Sequence, residues 1–148
     1  MILQILIETL VALIATLSFA VIFNAPRREL VLCGSTGALG WLVYRLLMEA
    51  GAGMAVSICL ATLALTVASR GMAVARMMPV TVYLLAGIFP LVPGAGVFYS
   101  FFYTLRGDSA TGSLQAGNTI TAAGAIALGI VLGFALPQKL FALFRRKR

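Results

Sequence analysis

The chain contains five apolar runs, and each approaches or exceeds the length that a helix needs to cross a lipid bilayer. A membrane-spanning helix uses about 20 apolar residues. Of the 148 residues, 61% are hydrophobic and 10% are charged, and the mean hydropathy is +1.06, which excludes an ordinary soluble domain. We predict an all-α integral membrane protein with helices over Leu3–Phe23, Leu30–Met48, Met54–Ser69, Pro79–Leu105 and Leu114–Leu136.

Short connections join these runs, so residues 1–148 are predicted to form one transmembrane helical domain. The third run is short and can extend beyond Ser69 into the connection Arg70–Met78. No Lys or Arg precedes the first run, and Glu8 lies inside it, so we interpret it as a retained helix and not a cleaved leader. Residues 137–148 form a basic cytoplasmic tail that anionic lipid headgroups would hold.

The basic residues predict the orientation of the chain. If all five runs cross, nine of the eleven Lys and Arg residues share one side: Arg27, Arg28, Arg70, Arg76, Lys139, Arg145, Arg146, Lys147 and Arg148. The positive-inside rule places that side in the cytoplasm and the N-terminus outside. If Pro79–Leu105 were instead a re-entrant hairpin, the bases would divide almost evenly between the two sides. Five crossings are therefore predicted.

The fourth run is broken at Pro90–Gly96, whose sequence is P-L-V-P-G-A-G. Proline and glycine interrupt helical hydrogen bonding, and irregular backbone within a bilayer survives only inside protein or beside a cavity. We predict two half-helices, Val80–Phe89 and Val97–Leu105, of about 15 and 13 Å, which places the break near the membrane midplane.

Such a break can form a binding site. The second half-helix would begin with free N–H groups at Gly96, Val97 and Phe98, and a helix N-terminus suits a carboxylate. The alternative is a proline kink satisfied by neighbouring helices. The candidate substrate-binding residues are Pro90, Pro93, Gly94, Gly96, Val97, Phe98, Tyr99 and Ser100.

Only four acidic residues are present, and two of them are candidates for gating or proton coupling. Asp108, after the broken run, either caps the following helix or contributes to a gate, for which the adjacent Arg106 is a further candidate. Glu8 is either an interfacial residue or a proton carrier.

The other two acids have simpler interpretations. Glu29, beside Arg27 and Arg28, is interpreted as a solvated loop charge. Arg45 and Glu49 have the i,i+4 spacing of a helical ion pair.

Small residues recur every four positions in the last run, which predicts one helical face that a neighbouring helix can approach closely. A shorter patch lies in the second run, around Gly37. Packing within the chain is the simpler interpretation, but two such faces also favour a partner subunit or homo-oligomer. The face in the last run consists of Gly117, Thr121, Ala125, Gly129 and Gly133.

The sequence offers no enzyme signature. It contains no histidine, no nucleophile elbow, no phosphate-binding loop and no zinc motif. Cys33 and Cys59 are interpreted as packing residues. We therefore predict no enzymatic activity, no metal and no cofactor, and the dispersed bases argue against a nucleic-acid partner.

Four motifs in order resemble the threonine/serine exporter family, specifically its second, smaller membrane unit, over essentially the whole chain. They are F-N-A-P-R-R-E-L (Phe23–Leu30), G-A-L-G-W-L-V (Gly37–Val43), G-I-F-P-L-V-P-G-A-G (Gly87–Gly96) and R-G-D (Arg106–Asp108). The resemblance implies export of threonine and serine, or of dicarboxylates such as succinate in a two-gene branch whose length this chain resembles. It also implies a larger membrane subunit as partner, a bacterial inner-membrane location, and a substrate path through Pro90–Gly96 and Gly107–Asp108.

Three functions are compared. The first is a subunit of a proton-motive-force-linked exporter of small carboxylate metabolites. The second is a non-transporting scaffold subunit whose broken helix docks the partner. The third is a homo-oligomeric channel.

Overall fold

The computed structural model describes residues 2–138 and residue 141, and over these residues the secondary structure is helical with no strand. Most of the predicted tail therefore lies outside the described residues. The helices are α1 (Ile2–Ile22), α2 (Leu30–Glu49), α3 (Met54–Arg76), α4 (Val80–Ile88), a 3-10 turn (Phe89–Leu91), α5 (Gly94–Leu105) and α6 (Ser109–Ala135).

Helix α3 extends beyond Ser69, the longer of the two lengths that the sequence allowed. It continues through Ser69 and Arg70 and ends where Met77 adopts a left-handed conformation, with φ of 53°. The placement of Arg70 in a connection was therefore wrong. Its side chain is buried and donates to the carbonyl oxygens of Gly133, Phe134 and Leu136 at the end of α6. These contacts satisfy terminal carbonyls that a helix leaves without partners.

Helix α6 also begins earlier than predicted, because Asp108 caps it. The Asp108 carboxylate accepts a hydrogen bond of 3.1 Å from the Thr111 amide, the usual arrangement at a helix N-cap. Gly107 before it has φ of +87°, a conformation that glycine adopts without steric cost. At 27 residues, α6 is about 40 Å long. Its first half packs on α5 and its second half on α3.

Contacts between helices fix their directions. Glu8 near the start of α1 pairs with Arg45 near the end of α2, so these helices are antiparallel. Gly40 of α2 packs on Leu65 of α3, and the short α2–α3 connection makes that pair antiparallel too.

The same logic places α6 parallel to α3. Gly129 of α6 packs on Thr62, and Gly133 packs on Thr66 further along both helices. Helix α3 ends at one end of the bundle and α6 starts at the other. The segment between them, α4 with the turn and α5, must therefore travel the length of the bundle.

The bundle has an apolar outer surface. Helix α1 exposes Leu3, Leu6, Leu10 and Ile14, each by more than half, whereas Thr16, Thr36, Thr62 and Thr66 are completely buried. Within residues 2–138, four helices are long and apolar enough to cross a membrane, and the number is five when the bent α4–α5 pair is counted as one span. An apolar exterior over a small-residue core is the pattern of a membrane bundle.

Candidate functional site

The predicted break is present and bends the chain. Helices α4 and α5 are separated by the 3-10 turn and differ in direction by 44°. A bend of this size leaves α5 advancing in the same general direction as α4, whereas a re-entrant hairpin would reverse it. Phe89 in the turn stacks on Phe19 of α1 with ring centroids 4.0 Å apart, which holds the break against the bundle.

The break lies level with the middle of α2. Leu91 packs beside Gly40, and Gly40 is the eleventh of the 20 residues of α2. Because α2 has the length of a full crossing, a break at this level lies about halfway through the bundle. This agrees with the depth expected from the lengths of the two half-helices.

The start of the second half-helix differs from the prediction. Helix α5 begins at Gly94, with Pro93 as its N-cap. The Val97 amide donates to the Pro93 carbonyl at 3.1 Å, and the Gly94 amide donates to the Val92 carbonyl at 2.8 Å. The expectation of free donors at Val97 and Phe98 was therefore wrong, because the helix starts three residues earlier than predicted and these amides lie inside its hydrogen-bond ladder.

A cavity of about 280 Å³ adjoins the break. Pro90 forms part of its wall, and α1 and α2 supply the rest: Ile7, Glu8, Val11, Ala12, Ala15 and Trp41. The structure thus brings Glu8 and Pro90, which are 82 positions apart, to one cavity. Its wall is almost entirely apolar, and Glu8 and Trp41 are the two lining residues whose side chains carry a polar group.

Glu8 is held by three side chains. Gln4 Nε2 donates to Oε1 at 2.9 Å, and Trp41 Nε1 donates to Oε2 at 3.3 Å. Arg45 Nε lies 2.9 Å from Oε2, and Arg45 Nη2 also pairs with Glu49 at 3.1 Å, as the i,i+4 spacing predicted. Arg45 therefore joins two acids at the end of α2.

A second charged cluster lies at the opposite end of α2 and corrects the interpretation of Glu29. Glu29 is 6% exposed and accepts from Arg76 Nε and Nη2 and from the Tyr83 hydroxyl, the last at 2.8 Å. The bidentate Arg76 guanidinium lowers the pKa of Glu29 against the opposing effect of burial, and Tyr83 adds to the lowering. Glu29 is therefore not a solvated loop charge, because it is buried and its partners are Arg76 and Tyr83. Both partners are distant from Glu29 in the sequence.

The remaining predicted site residues are spread along α5 and do not line the cavity. Gly96 packs on Thr119 of α6, and Ser100 donates to the Val97 carbonyl of its own helix at 2.8 Å. Phe98 and Tyr99 are exposed by 61% and 46%.

The two gating candidates beyond α5 have local partners. Arg106 lies over the Phe102 ring at 4.6 Å. Hydrogen bonding by the Thr111 side chain, and then by its backbone amide, lowers the pKa of Asp108. Asp108 thus has the capping role that was one of its two interpretations.

The small-residue face of α6 is divided between two environments. Ala125, Gly129 and Gly133 are buried, and a Cβ atom at Gly129 would lie 2.6 Å from the Cys59 carbonyl oxygen. Gly117 and Thr121 are exposed, and a Cβ atom at Gly117 would meet nothing within 4 Å. Packing within the chain therefore explains the small residues at Ala125, Gly129 and Gly133, but not those at Gly117 and Thr121.

Comparison with known proteins identifies the family. A family model described as "Threonine/Serine exporter, ThrE" matches residues 8–135. The chain belongs to the threonine/serine exporter family. Searches of curated proteins and of solved structures found no match. Membership in the exporter family supports a membrane protein with a transport role and favours a transporter over an enzyme.

The exporter-family match spans both charged clusters, and sequence reasoning missed most of their members. The sequence pointed to Glu8 but did not identify Trp41 and Arg45 as the partners of Glu8. It also did not connect Arg76 and Tyr83 with Glu29. One signal was available: a chain with four acids in a largely apolar sequence must pair each acid that it buries.

Proposed function

We propose that the chain is the small membrane subunit of a two-subunit secondary transporter. It exports small carboxylate-bearing metabolites across the bacterial inner membrane, with its N-terminus outside and its C-terminus in the cytoplasm. The cargo is an amino acid such as threonine or serine, or a dicarboxylate such as succinate. The partner is a larger membrane subunit of the same exporter family.

The observation that carries this proposal is the cavity at the helix break. Irregular backbone at mid-depth is tolerated where it is buried in protein or beside a cavity, and transporters place substrate sites at such breaks. Here Pro90 of the break, Glu8 and Trp41 contribute to one wall. A volume of about 280 Å³ is near the lower end of ligand pockets, which hold about 300–1,000 Å³, and this favours a small cargo.

A second subunit is supported by surfaces that this chain leaves uncovered. Ile7 and Val11 on the cavity wall are 54% and 58% exposed, so the chain alone does not enclose the cavity. Helix α5 has no buried side chain, although it follows directly from the break. A partner that covered α5 and the open side of the cavity would complete a path through the membrane.

Export from cells tests the proposal. Deletion of this chain is expected to cause intracellular retention of the exported acid, and restoring the gene should reverse it. A variant with Pro93→Ala and Gly94→Ala is expected to reach the membrane but not to export, because two of the residues that interrupt the helix at the start of α5 would be replaced by a strong helix former. Gly53→Ala, at an open position of the α2–α3 connection, is the control. Normal export by the Pro93/Gly94 variant would contradict the site assignment.

A scaffold role is the second candidate, favoured by the uncovered aromatic side chains of α5. In that case the purified complex would bind cargo through the larger subunit alone, and changes at Pro93 would dissociate the complex.

A homo-oligomeric channel is the third candidate function, and it would give flux in liposomes from this chain alone. Co-purification followed by flux measurement separates all three.

A further inference from the structure

Two glycines of α6 face open space. A Cβ atom at Gly117 or Gly124 would meet nothing within 4 Å, whereas Gly112, Gly129 and Gly133 of the same helix each face a close neighbour. Glycine inside a helix costs about 1 kcal/mol relative to alanine. Close packing within the chain accounts for three of these glycines and leaves the other two without a role.

The two open glycines belong to an exposed face that repeats every seven residues. Alternating steps of three and four residues are the pattern of helices that pair in a left-handed coil. The members of this face, which we call the α6 seam, are all exposed: Leu114, Gly117, Thr121, Gly124, Leu128 and Val131. Helix α6 contacts α3 through Gly129 and α5 through Gly112, so these neighbours occupy other faces and leave the seam free.

Asn118 adds a polar side chain beside the seam at mid-depth. Its neighbour Thr119 packs against Gly96 at the helix break, which lies about halfway through the bundle. Asn118 is also four residues from Ala122, the central residue of α6, a rise of about 6 Å. The hydrocarbon core extends about 15 Å to either side of its centre. The exposed Asn118 side chain therefore lies well inside the hydrocarbon layer.

The Asn118 carboxamide lacks a partner in the part of the chain that the structure describes. The neighbouring Thr119 and Thr121 hydroxyls donate to carbonyl groups of their own helix, but no hydrogen bond from residues 2–138 or 141 reaches the Asn118 side chain. Hydrocarbon supplies no water to replace it, and an amide left without a partner there costs several kcal/mol. Asn118 therefore calls for a polar group from another protein chain.

A second copy of this chain supplies such a group. Two copies inserted in the same direction are related by a two-fold axis along the membrane normal, so their α6 helices are parallel. In a parallel pair, a residue flanking one edge of the seam faces the opposite edge of the partner, five residues further on. Ser113 and Asn118 are five residues apart, flank opposite edges of the seam and are both exposed. The sequence of this chain therefore contains its own complement.

We propose that α6 is the interface between two copies of this chain, paired in parallel along the seam. Asn118 of each copy exchanges a hydrogen bond with Ser113 of the other, and Gly117 and Gly124 let the two backbones approach closely enough for these short side chains to meet. Because α5 packs on a different face of α6, a larger subunit keeps access to α5 and to the cavity. The pairing goes beyond the proposed transport function and does not depend on it.

Oxidative cross-linking tests the pairing in membranes that carry the complete transporter. In a chain without Cys33 and Cys59, Thr121→Cys places a thiol in the seam. Ala123→Cys places one two residues away, at an exposed position outside the seam. A disulfide forms only where the two Cα atoms lie within about 7 Å. Thr121→Cys is therefore expected to give a dimer of this chain that a reductant reverses, and Ala123→Cys is not.

Energy transfer between labelled copies in proteoliposomes with the larger subunit measures the strength of the pairing. Gly124→Leu places a bulky side chain in the seam and should lower the association constant about 10-fold or more. The position is open within the chain, so the fold of each copy is kept. Asn118→Leu removes two symmetry-related hydrogen bonds and should lower the constant about 5–10-fold. Ala123→Leu is the control and should leave it within about twofold.

Three results would overturn the pairing. The first is equal dimer formation by Thr121→Cys and Ala123→Cys, which indicates random collision. The second is an unchanged association constant in both Gly124→Leu and Asn118→Leu. The third is no dimer from Thr121→Cys together with protection of that thiol from a membrane-permeant reagent by the larger subunit, which assigns the seam to that subunit. Cargo flux without dimers would reject the pairing and leave the transport function intact, whereas dimers without flux would do the reverse.

Discussion

At the scale of single residues, Glu29 joins three separate segments of the chain. It lies just before α2, accepts two hydrogen bonds from Arg76 at the end of α3, and accepts another from Tyr83 of α4. Glu29 is buried, whereas Arg76 is partly exposed. Removing the acid would leave Tyr83, which is completely buried, without its acceptor. Hydrogen bonds to charged groups contribute about 1.5–3 kcal/mol each.

Glu29→Gln is therefore expected to lower the free energy of unfolding by about 2 kcal/mol. The pKa of Glu29 is lowered by Arg76, so its contribution is complete above the ordinary value of 4.5 and is lost as pH falls below that value. Thermal unfolding in detergent from pH 7 to pH 3 measures both effects. The wild type should lose more stability than Glu29→Gln over this range.

The exposed acid Glu49 provides the control for that measurement. Glu49→Gln should change the unfolding temperature little and should keep the acid sensitivity of the wild type, since the Glu29 cluster remains intact. Equal acid sensitivity in the Glu29→Gln variant and the wild type would contradict the account.

At the scale of elements, α6 shows the clearest contrast between packed and open glycines. Gly129 faces the backbone of α3, where a Cβ atom would lie 2.6 Å from the Cys59 carbonyl oxygen, whereas the Gly117 position is open. Gly129→Ala is expected to push α6 away from α3 and to destabilise the chain by about 1–3 kcal/mol. Gly117→Ala should stabilise it by up to about 1 kcal/mol through helix propensity. Thermal unfolding of the isolated chain compares the two, and a larger loss at Gly117 would contradict this packing.

The end of α6 depends on a side chain from another helix. Arg70 donates to three carbonyl groups there and lies over the Phe134 ring at 5.7 Å. Arg70→Ala should speed amide hydrogen exchange in the last turn of α6 by about 10-fold or more, because unpaired buried carbonyls cost about 1–3 kcal/mol. Arg106→Ala removes the same charge at an exposed site and should leave that turn protected. Unchanged exchange in Arg70→Ala would show that the cap is dispensable.

These elements also show which features sequence could predict. The length of an apolar run and the clustering of proline and glycine can be read from a short stretch of sequence. These two features therefore located the helices and the break at Pro90. Asp108 was recognised as a possible cap for the same reason. The partners of Glu8 and Glu29 come from other helices, and their identity depends on how the helices pack. The sequence also could not separate Gly117 from Gly129, since both fit one repeat and only packing distinguishes them.

At the scale of the whole molecule, helix packing predicts which connections share a side. The end of α2 and the start of α6 lie at one end of the bundle, and the α1–α2 connection lies at the other. In a variant without Cys33 and Cys59, an impermeant thiol reagent applied to cells should label Ala50→Cys and Ser109→Cys. Arg27→Cys should be labelled only after permeabilisation, as the positive-inside rule predicts. Labelling of Ser109→Cys and Arg27→Cys from the same side would mean that the α4–α5 segment does not cross.

The molecule as a whole is proposed to be one part of a transport path, because its cavity is open and most residues of α5 are exposed. The measurement that tests this most directly is L-threonine and succinate flux in proteoliposomes that contain this chain, the larger subunit from a neighbouring gene, or both. We expect flux of a cargo acid only when both are present, and loss of that flux with Pro93→Ala and Gly94→Ala. Full flux from either protein alone would contradict the central claim.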